Sequence, residues 1–130
     1  MKEVTAAIIL KGNSLLLLRR KQGKKLEGYW EFPGGKIENG KTPQECLERE
    51  IFEELGVKCK ASQIIAESEY HYEHDSIKLP GILTVLLNHE IKLTVHDKAK
   101  WVSLNNILKL KLAPADIPIA KQLLKFKENV

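Results

Sequence analysis

Three carboxylates, Glu50, Glu53 and Glu54, stand at i, i+3 and i+4 in a stretch whose apolar residues recur with helical spacing. Steps of 100° put all three within an arc of about 100° on one helix face. Like charges at that spacing repel by about 0.2–0.5 kcal/mol per pair, so such a face either lies in water or holds a cation. Just upstream, Phe32-Pro33-Gly34-Gly35 carries two glycines that let the backbone approach a ligand and present carbonyls to a hard ion. Loop and helix could share one ion, and carboxylate and carbonyl oxygens suit Mg²⁺ or Mn²⁺ rather than zinc.

The elements that must position these groups are readable around them. Leu47, Ile51 and Leu55 recur at i+4, Thr42 can cap, Glu45 follows three residues later and Gly56 can terminate, which predicts a helix over residues 43–56. Val4–Leu10 and Ser14–Leu18, separated by Lys11-Gly12-Asn13, predict a hairpin. A basic, glycine-punctuated loop over residues 19–28 leads to a short aromatic strand, Tyr29–Phe32, and a second loop, Pro33–Thr42. Strands are expected at Val57–Tyr72, broken near Ala61-Ser62, and at Ile77–Leu87, with a turn at His74-Asp75. Trp101-Val102 reads as a short strand and Ile117–Phe126 as a terminal helix after Pro114 and Pro118. Strands interspersed with helices in so short a chain predict an α/β domain with helices on the faces of a sheet.

The chain has 130 residues, 43% apolar and 29% charged, which fits one globular domain and excludes collagenous, low-complexity and disordered readings. Its net charge of +4 is too modest to require a polyanion. Arginine occurs only at 19, 20 and 49 and aspartate only at 75, 97 and 116, so these rare types stand out against the many Lys and Glu. Cys46 and Cys59 have neither disulfide-framework nor metal spacing, and no stretch nears the roughly 20 apolar residues of a membrane span. A cytoplasmic protein that is soluble, with no membrane and no nucleic-acid polymer as partner, is the expectation.

Gly35, Arg49-Glu50-Ile51, Glu53-Glu54 and Gly56-Val57, within GGKIENGKTPQECLEREIFEELGV, resemble the Nudix hydrolase signature, a box that would span residues 35–57. Eight of its nine defined positions match; the departure is Lys41, where the signature has Glu. Leu18-Arg19-Arg20, the run Trp30 to Glu38 and Pro114-Ala115-Asp116-Ile117-Pro118 are similar to the branch containing MutT-like and CTP (pyrimidine) pyrophosphohydrolases. The resemblance implies an α/β/α sandwich with a mixed β-sheet, one Nudix domain over residues 1–130, and Mg²⁺ (Mn²⁺ possible) as cofactor. It implies hydrolysis of a nucleoside triphosphate, (d)NTP, to (d)NMP and diphosphate, sanitising the nucleotide pool, by a monomer or homodimer.

By the same resemblance the metal set is Gly34, Glu50, Glu53, Glu54 and Asp97, with Glu50 either ligand or base. Arg49, Glu50 and Glu53 form the catalytic group; Arg49 would hold a carboxylate ionised, or merely pair across the helix surface. The substrate set is Arg20, Lys25, Glu31, Phe32, Pro33, Gly34 and Asp116, although Arg20 also reads as part of a solvated loop and Asp97 as an exposed turn carboxylate. Asp116 either reads the base or caps the terminal helix. An ionised Asp there accepts only, favouring cytosine N4, whereas a protonated one could also donate. Both 8-oxo-dGTP and a cytosine or modified-pyrimidine nucleotide stay open as substrate. The alternatives are a non-catalytic nucleotide sensor, for which Lys41 is the sole support, and a hydrolase of another nucleoside diphosphate derivative. Glu38 could compensate for Lys41, and Lys41 itself could pair with Glu45 or meet a phosphate.

Overall fold

Alternation along the strand Ala6–Lys11 sends Ala7 and Ile9 to one face and Ala6 and Ile8 to the other, and none of the four is more than 2% exposed. A strand apolar on both sides must be central and covered twice. The structure, a computed structural model describing residues 1–128, meets that demand with a mixed seven-stranded sheet between two helices. In chain order the elements are β1 Lys2–Glu3, β2 Ala6–Lys11, β3 Ser14–Arg20, β4 Trp30–Glu31, α1 Pro43–Leu55, β5 Cys59–Tyr72, β6 Asp75–Leu86 and β7 His96–Ser103. Two 3₁₀ turns, Leu104–Lys109 and Pro114–Asp116, lead into α2, Ile117–Glu128. One core packs Leu47, Ile51 and Leu55 of α1 against Ala7, Ile9, Leu16 and Leu18. The other packs Ile119, Ala120 and Leu123 of α2 against Ala6, Ile8, Leu15 and Leu17, completing the expected sandwich.

The sheet parts in the middle. β2 meets β3 only where the hairpin turns, at Leu10↔Leu15 and Lys11↔Ser14. Beyond that, β2 runs parallel to β6 from Ala6↔Gly81 to Ile9↔Thr84, while β3 pairs with β4 and β7. The edge that β2 leaves exposed is taken by the glycine loop: Ala7 N donates to the Pro33 carbonyl at 2.7 Å and Thr5 N to the Gly35 carbonyl at 2.8 Å. A loop that carries backbone chemistry is thus held like an extra strand.

Helix α1 starts and stops on the expected residues. Thr42 Oγ1 accepts from Glu45 N at 3.1 Å and Thr42 N donates to the Glu45 carboxylate at 3.2 Å, a reciprocal capping box. At the other end Gly56, with φ of 67°, donates to the Phe52 carbonyl at 2.9 Å. Thr42→Ala is expected to cost about 1 kcal/mol and lower Tm by about 4 °C in a thermal melt.

Other boundaries moved. The strand expected at Trp101-Val102 extends back to His96, hidden in the sequence by lysines 98 and 100 on a half-exposed edge. The aromatic strand shrinks to Trp30–Glu31. β5 is continuous, and the expected break near Ala61-Ser62 is a pair of register shifts between Ala61 and Ala66. Helix side chains occupy its outer edge there: Glu48 accepts from Ala61 N at 2.8 Å, Gln44 donates to the Ser62 carbonyl at 2.9 Å, and Gln122 bonds both Glu67 N and its carbonyl, at 3.0 and 2.6 Å. No helix among the described residues is long and apolar enough to cross a membrane.

Candidate active site

Where β2 and β3 part, the glycine loop, α1 and the start of β7 enclose a cavity of about 640 Å³. Glu50 and Glu54 line it, one helical turn apart beside the buried stripe of α1. Glu53 points away, its side chain 58% exposed against 20% for Glu50. Arg49 gathers three carboxylates around its guanidinium. Its Nη1 lies 2.6 Å from Glu38, Nη2 3.2 Å from Glu50 and Nε 3.8 Å from Glu53. The Arg49 guanidinium holds the Glu38 carboxyl below the usual range, with a smaller contribution from Lys41. Lys41 lies 3.8 Å from Glu38 rather than on Glu45, whose carboxylate the Thr42 N–H and hydroxyl already occupy. Glu38 therefore balances both cations at the junction of loop and helix.

Glu54 is the group most in need of a partner. Its Oε2 is buried and accepts no hydrogen bond among the described residues. Burial pushes its carboxyl up to about 7; the charges of Glu50 and Glu31 add to this, while those of His96 and Arg20 oppose it. Oxygen donors that repel one another in a recess fit a hard cation, although no three His, Cys, Asp or Glu side chains among the described residues are preassembled as a metal cage. Because Pro33 and Gly35 turn their carbonyls to β2, alternation along this extended segment faces the intervening Gly34 carbonyl the other way, and Gly34 lines the cavity. Both glycines are required sterically. A Cβ on Gly35 would overlap the Glu50 side chain, and one on Gly34 the Thr5 carbonyl.

The opposite wall is cationic and comes from β3, β4 and β7. Arg20 contacts both oxygens of Glu31 through Nη1, at 3.3 and 3.2 Å, and donates from Nε to the Lys25 carbonyl. Lys25 thus enters through its backbone; its residue lines an adjoining hollow of about 280 Å³ that shares Arg20, Glu31, Leu79 and Asp116 with the main cavity, while Lys24 lines the main cavity itself.

Asp97, expected as a metal ligand, is not among the residues around the cavity. β3 pairs Arg19 with Lys98 and Arg20 with His96, so Asp97 is the extra residue of a β-bulge. It faces outward and pairs with Arg19 at 2.8 Å, and His96 lines the cavity in its place. The sequence pointed to the pair His96-Asp97 but not to the bulge that selects between them.

At the cavity's apolar end, Phe32 is 4% exposed and its N–H donates to Asp116 Oδ2 at 2.8 Å. This bond takes the Asp116 carboxylate to the glycine loop instead of to the terminal helix. Pro33 is buried and contributes a carbonyl to β2 rather than a surface to the cavity. Burial first, then the Glu31 charge, pushes the Asp116 carboxyl up to about 8, against the Phe32 N–H and the Arg20 charge.

Residues 1–123 match the NUDIX domain family. The chain is 35% identical over 124 residues to the CTP pyrophosphohydrolase of Escherichia coli K12, covering 92% of this chain and 88% of that protein. It is 28% identical over 126 residues to the 8-oxo-dGTP diphosphatase of the same strain, covering 95% and 98%. Among solved structures, that of the E. coli ORF135 protein superposes with a TM-score of 0.84 at 30% identity, covering 98% of this chain and 91% of that one. The MutT protein from Methanosarcina mazei Go1 gives 0.85 at 23% identity, covering 98% and 94%.

Proposed function

The chain belongs to the NUDIX domain family and is a Nudix hydrolase, and from that premise we propose that it is a cytoplasmic, metal-dependent pyrophosphohydrolase that converts a cytosine nucleoside triphosphate to the monophosphate and diphosphate. The choice of base rests on Asp116 together with the relative at 35% identity. Asp116 is buried beside the cavity, its Oδ2 accepts from the Phe32 N–H at 2.8 Å, and burial pushes its carboxyl up to about 8, which favours the protonated form. A protonated acid offers an O–H donor beside a carbonyl acceptor, which matches the adjacent N3 acceptor and N4 donor of cytosine. The relative at 35% identity is a CTP pyrophosphohydrolase. A second reading, 8-oxo-dGTP as substrate, draws on the same proton, since the O–H can also serve a purine carbonyl.

Nudix hydrolases generally use divalent metal ions, and Mg²⁺ or Mn²⁺ fits the oxygen donors here. Glu50, Glu54 and the Gly34 carbonyl would hold the ion, which supplies charge neutralisation and a water of lowered pKa. Arg49 keeps Glu50 oriented, and Glu53 supports Arg49 from outside. From the other wall Arg20 and Lys24 meet the phosphates, where charge accumulates as the anhydride breaks. Phe32 and Leu79 flank the base.

Nucleoside monophosphate formation at pH 7 with Mg²⁺, measured across CTP, the four dNTPs, 5-methyl-dCTP, 8-oxo-dGTP and ADP-ribose, tests this reading; a preference for ADP-ribose, which yields AMP and ribose 5-phosphate without diphosphate, would sink it. Asp116 adds a pH signature. Burial penalises only its charged form, so the free protein loses stability as pH rises from the ordinary 3.8 through about 8. Asp116→Asn lacks that penalty, and its Tm advantage over the parent is expected to widen across this window and then level. Because Asn keeps a donor and an acceptor, the parent-to-variant ratio of kcat/KM for CTP is expected to fall about 10-fold between pH 7 and pH 9.

A further inference from the structure

We infer that His96 is a positioning residue that fixes the phosphate-facing guanidinium of Arg20, acting through Glu31 and without touching substrate; only the phosphate-facing part of this statement rests on the function proposed above. The side chain of His96 is 5% exposed, and its Nε2 lies 2.7 Å from Glu31 Oε2, the shortest contact that Glu31 makes. Glu31 already accepts from Arg20, so the imidazole proton of this contact sits on Nε2. The other ring nitrogen, Nδ1, is buried without a hydrogen-bond partner among the described residues. The His96 ring therefore has one hydrogen bond among them, and that bond is to Glu31.

The order of determination follows from burial. Arg20 is a long side chain, 31% exposed, and Glu31 is 21% exposed, so neither fixes the other by packing. His96 is fixed, because the bulge at Asp97 aims it inward and Arg20↔His96 is a register pair of β3 and β7. The relay runs from β7 to β4 to β3, and the Arg20 Nε bond to the Lys25 carbonyl closes it. An aligned charge-assisted pair of this kind orders a guanidinium that would otherwise sample several rotamers.

The chain has only three arginines, so their Nε–Hε signals in a ¹⁵N NMR spectrum can be assigned by single substitutions. His96→Phe keeps the ring and removes the donor. It is expected to shift or broaden the Arg20 signal while leaving Arg49 in place, and Glu31→Gln should do the same. His96→Gln, with an amide donor, should retain it. In the unmodified protein the His96 Nε2 proton is expected as a downfield, slowly exchanging signal that moves in Glu31→Gln, a measurement needing no substitution at His96. For the hydrolysed nucleotide, KM should rise about 10-fold in His96→Phe with kcat within about 3-fold, and His96→Gln should recover most of the loss. In a Glu31→Gln background, His96→Phe should add less than about 2-fold. An unmoved Arg20 signal in His96→Phe, an unprotonated Nε2, or additive effects of the two substitutions would overturn the relay. If no nucleotide is hydrolysed, the function proposed above fails and the NMR measurements alone decide the relay.

Discussion

Glu54→Gln is expected to lower turnover at least about 100-fold with the fold intact, the loss that the metal-ligand role proposed for Glu54 implies. The substitution preserves volume and removes only the charge. In the metal-free protein that charge is a liability, since Glu54 Oε2 is buried without a partner and the carboxyl is pushed up to about 7 by burial and by Glu50 and Glu31. Tm without metal is therefore expected to stay level or rise, while the increase in Tm produced by Mg²⁺ disappears. Near-parental diphosphate release would remove Glu54 from the metal set, and a Mg²⁺ response that persists would do so independently of any substrate.

The second large effect separates two adjacent glycines. Gly35→Ala places a methyl where the Glu50 side chain lies, and that side chain can swing aside. The expected result is a folded protein whose kcat falls about 100-fold, because a displaced carboxylate no longer meets the reacting groups in register. Gly34→Ala meets the Thr5 backbone carbonyl, which is fixed in the extended segment between β1 and β2 and cannot move without disturbing the glycine loop. Here stability is expected to fall by about 3 kcal/mol, seen as a lower midpoint in urea. Equal stability losses in the two variants would contradict the geometry.

Helix α1 was legible to within a residue, because cap, stripe and terminator are all local in the chain, and its acidic face was legible with it. The glycine loop at Gly34-Gly35 was legible for the same reason. Of the cationic wall the resemblance named Arg20 and Glu31 but not their tie to His96, since the three converge only through the pairing of β3 with β4 and β7. A one-residue bulge has no signature in the residues 96–101, so Asp97 and His96 exchange places relative to expectation. Likewise Glu38, a loop residue of no fixed periodicity, takes up Arg49 and Lys41 through contacts that depend on how the loop lies on β2. Asp116 was ambiguous between capping and the cavity because both uses ask for the same side chain, and only its 2.8 Å contact with Phe32 N separates them.

β5 is fourteen residues long and borders the sheet, a length that ordinarily invites another chain to add itself by backbone pairing. Glu48, Gln44 and Gln122 already hold the groups such a chain would need, and the shifted register between Ala61 and Ala66 spoils the even ladder it would follow. The helices that cover the two cores thus also act as guards against self-templated fibre growth. Stability and colloidal behaviour are separable at Gln122: losing its amide leaves the hydrophobic contacts of α2 intact and opens the border at Glu67 to strangers.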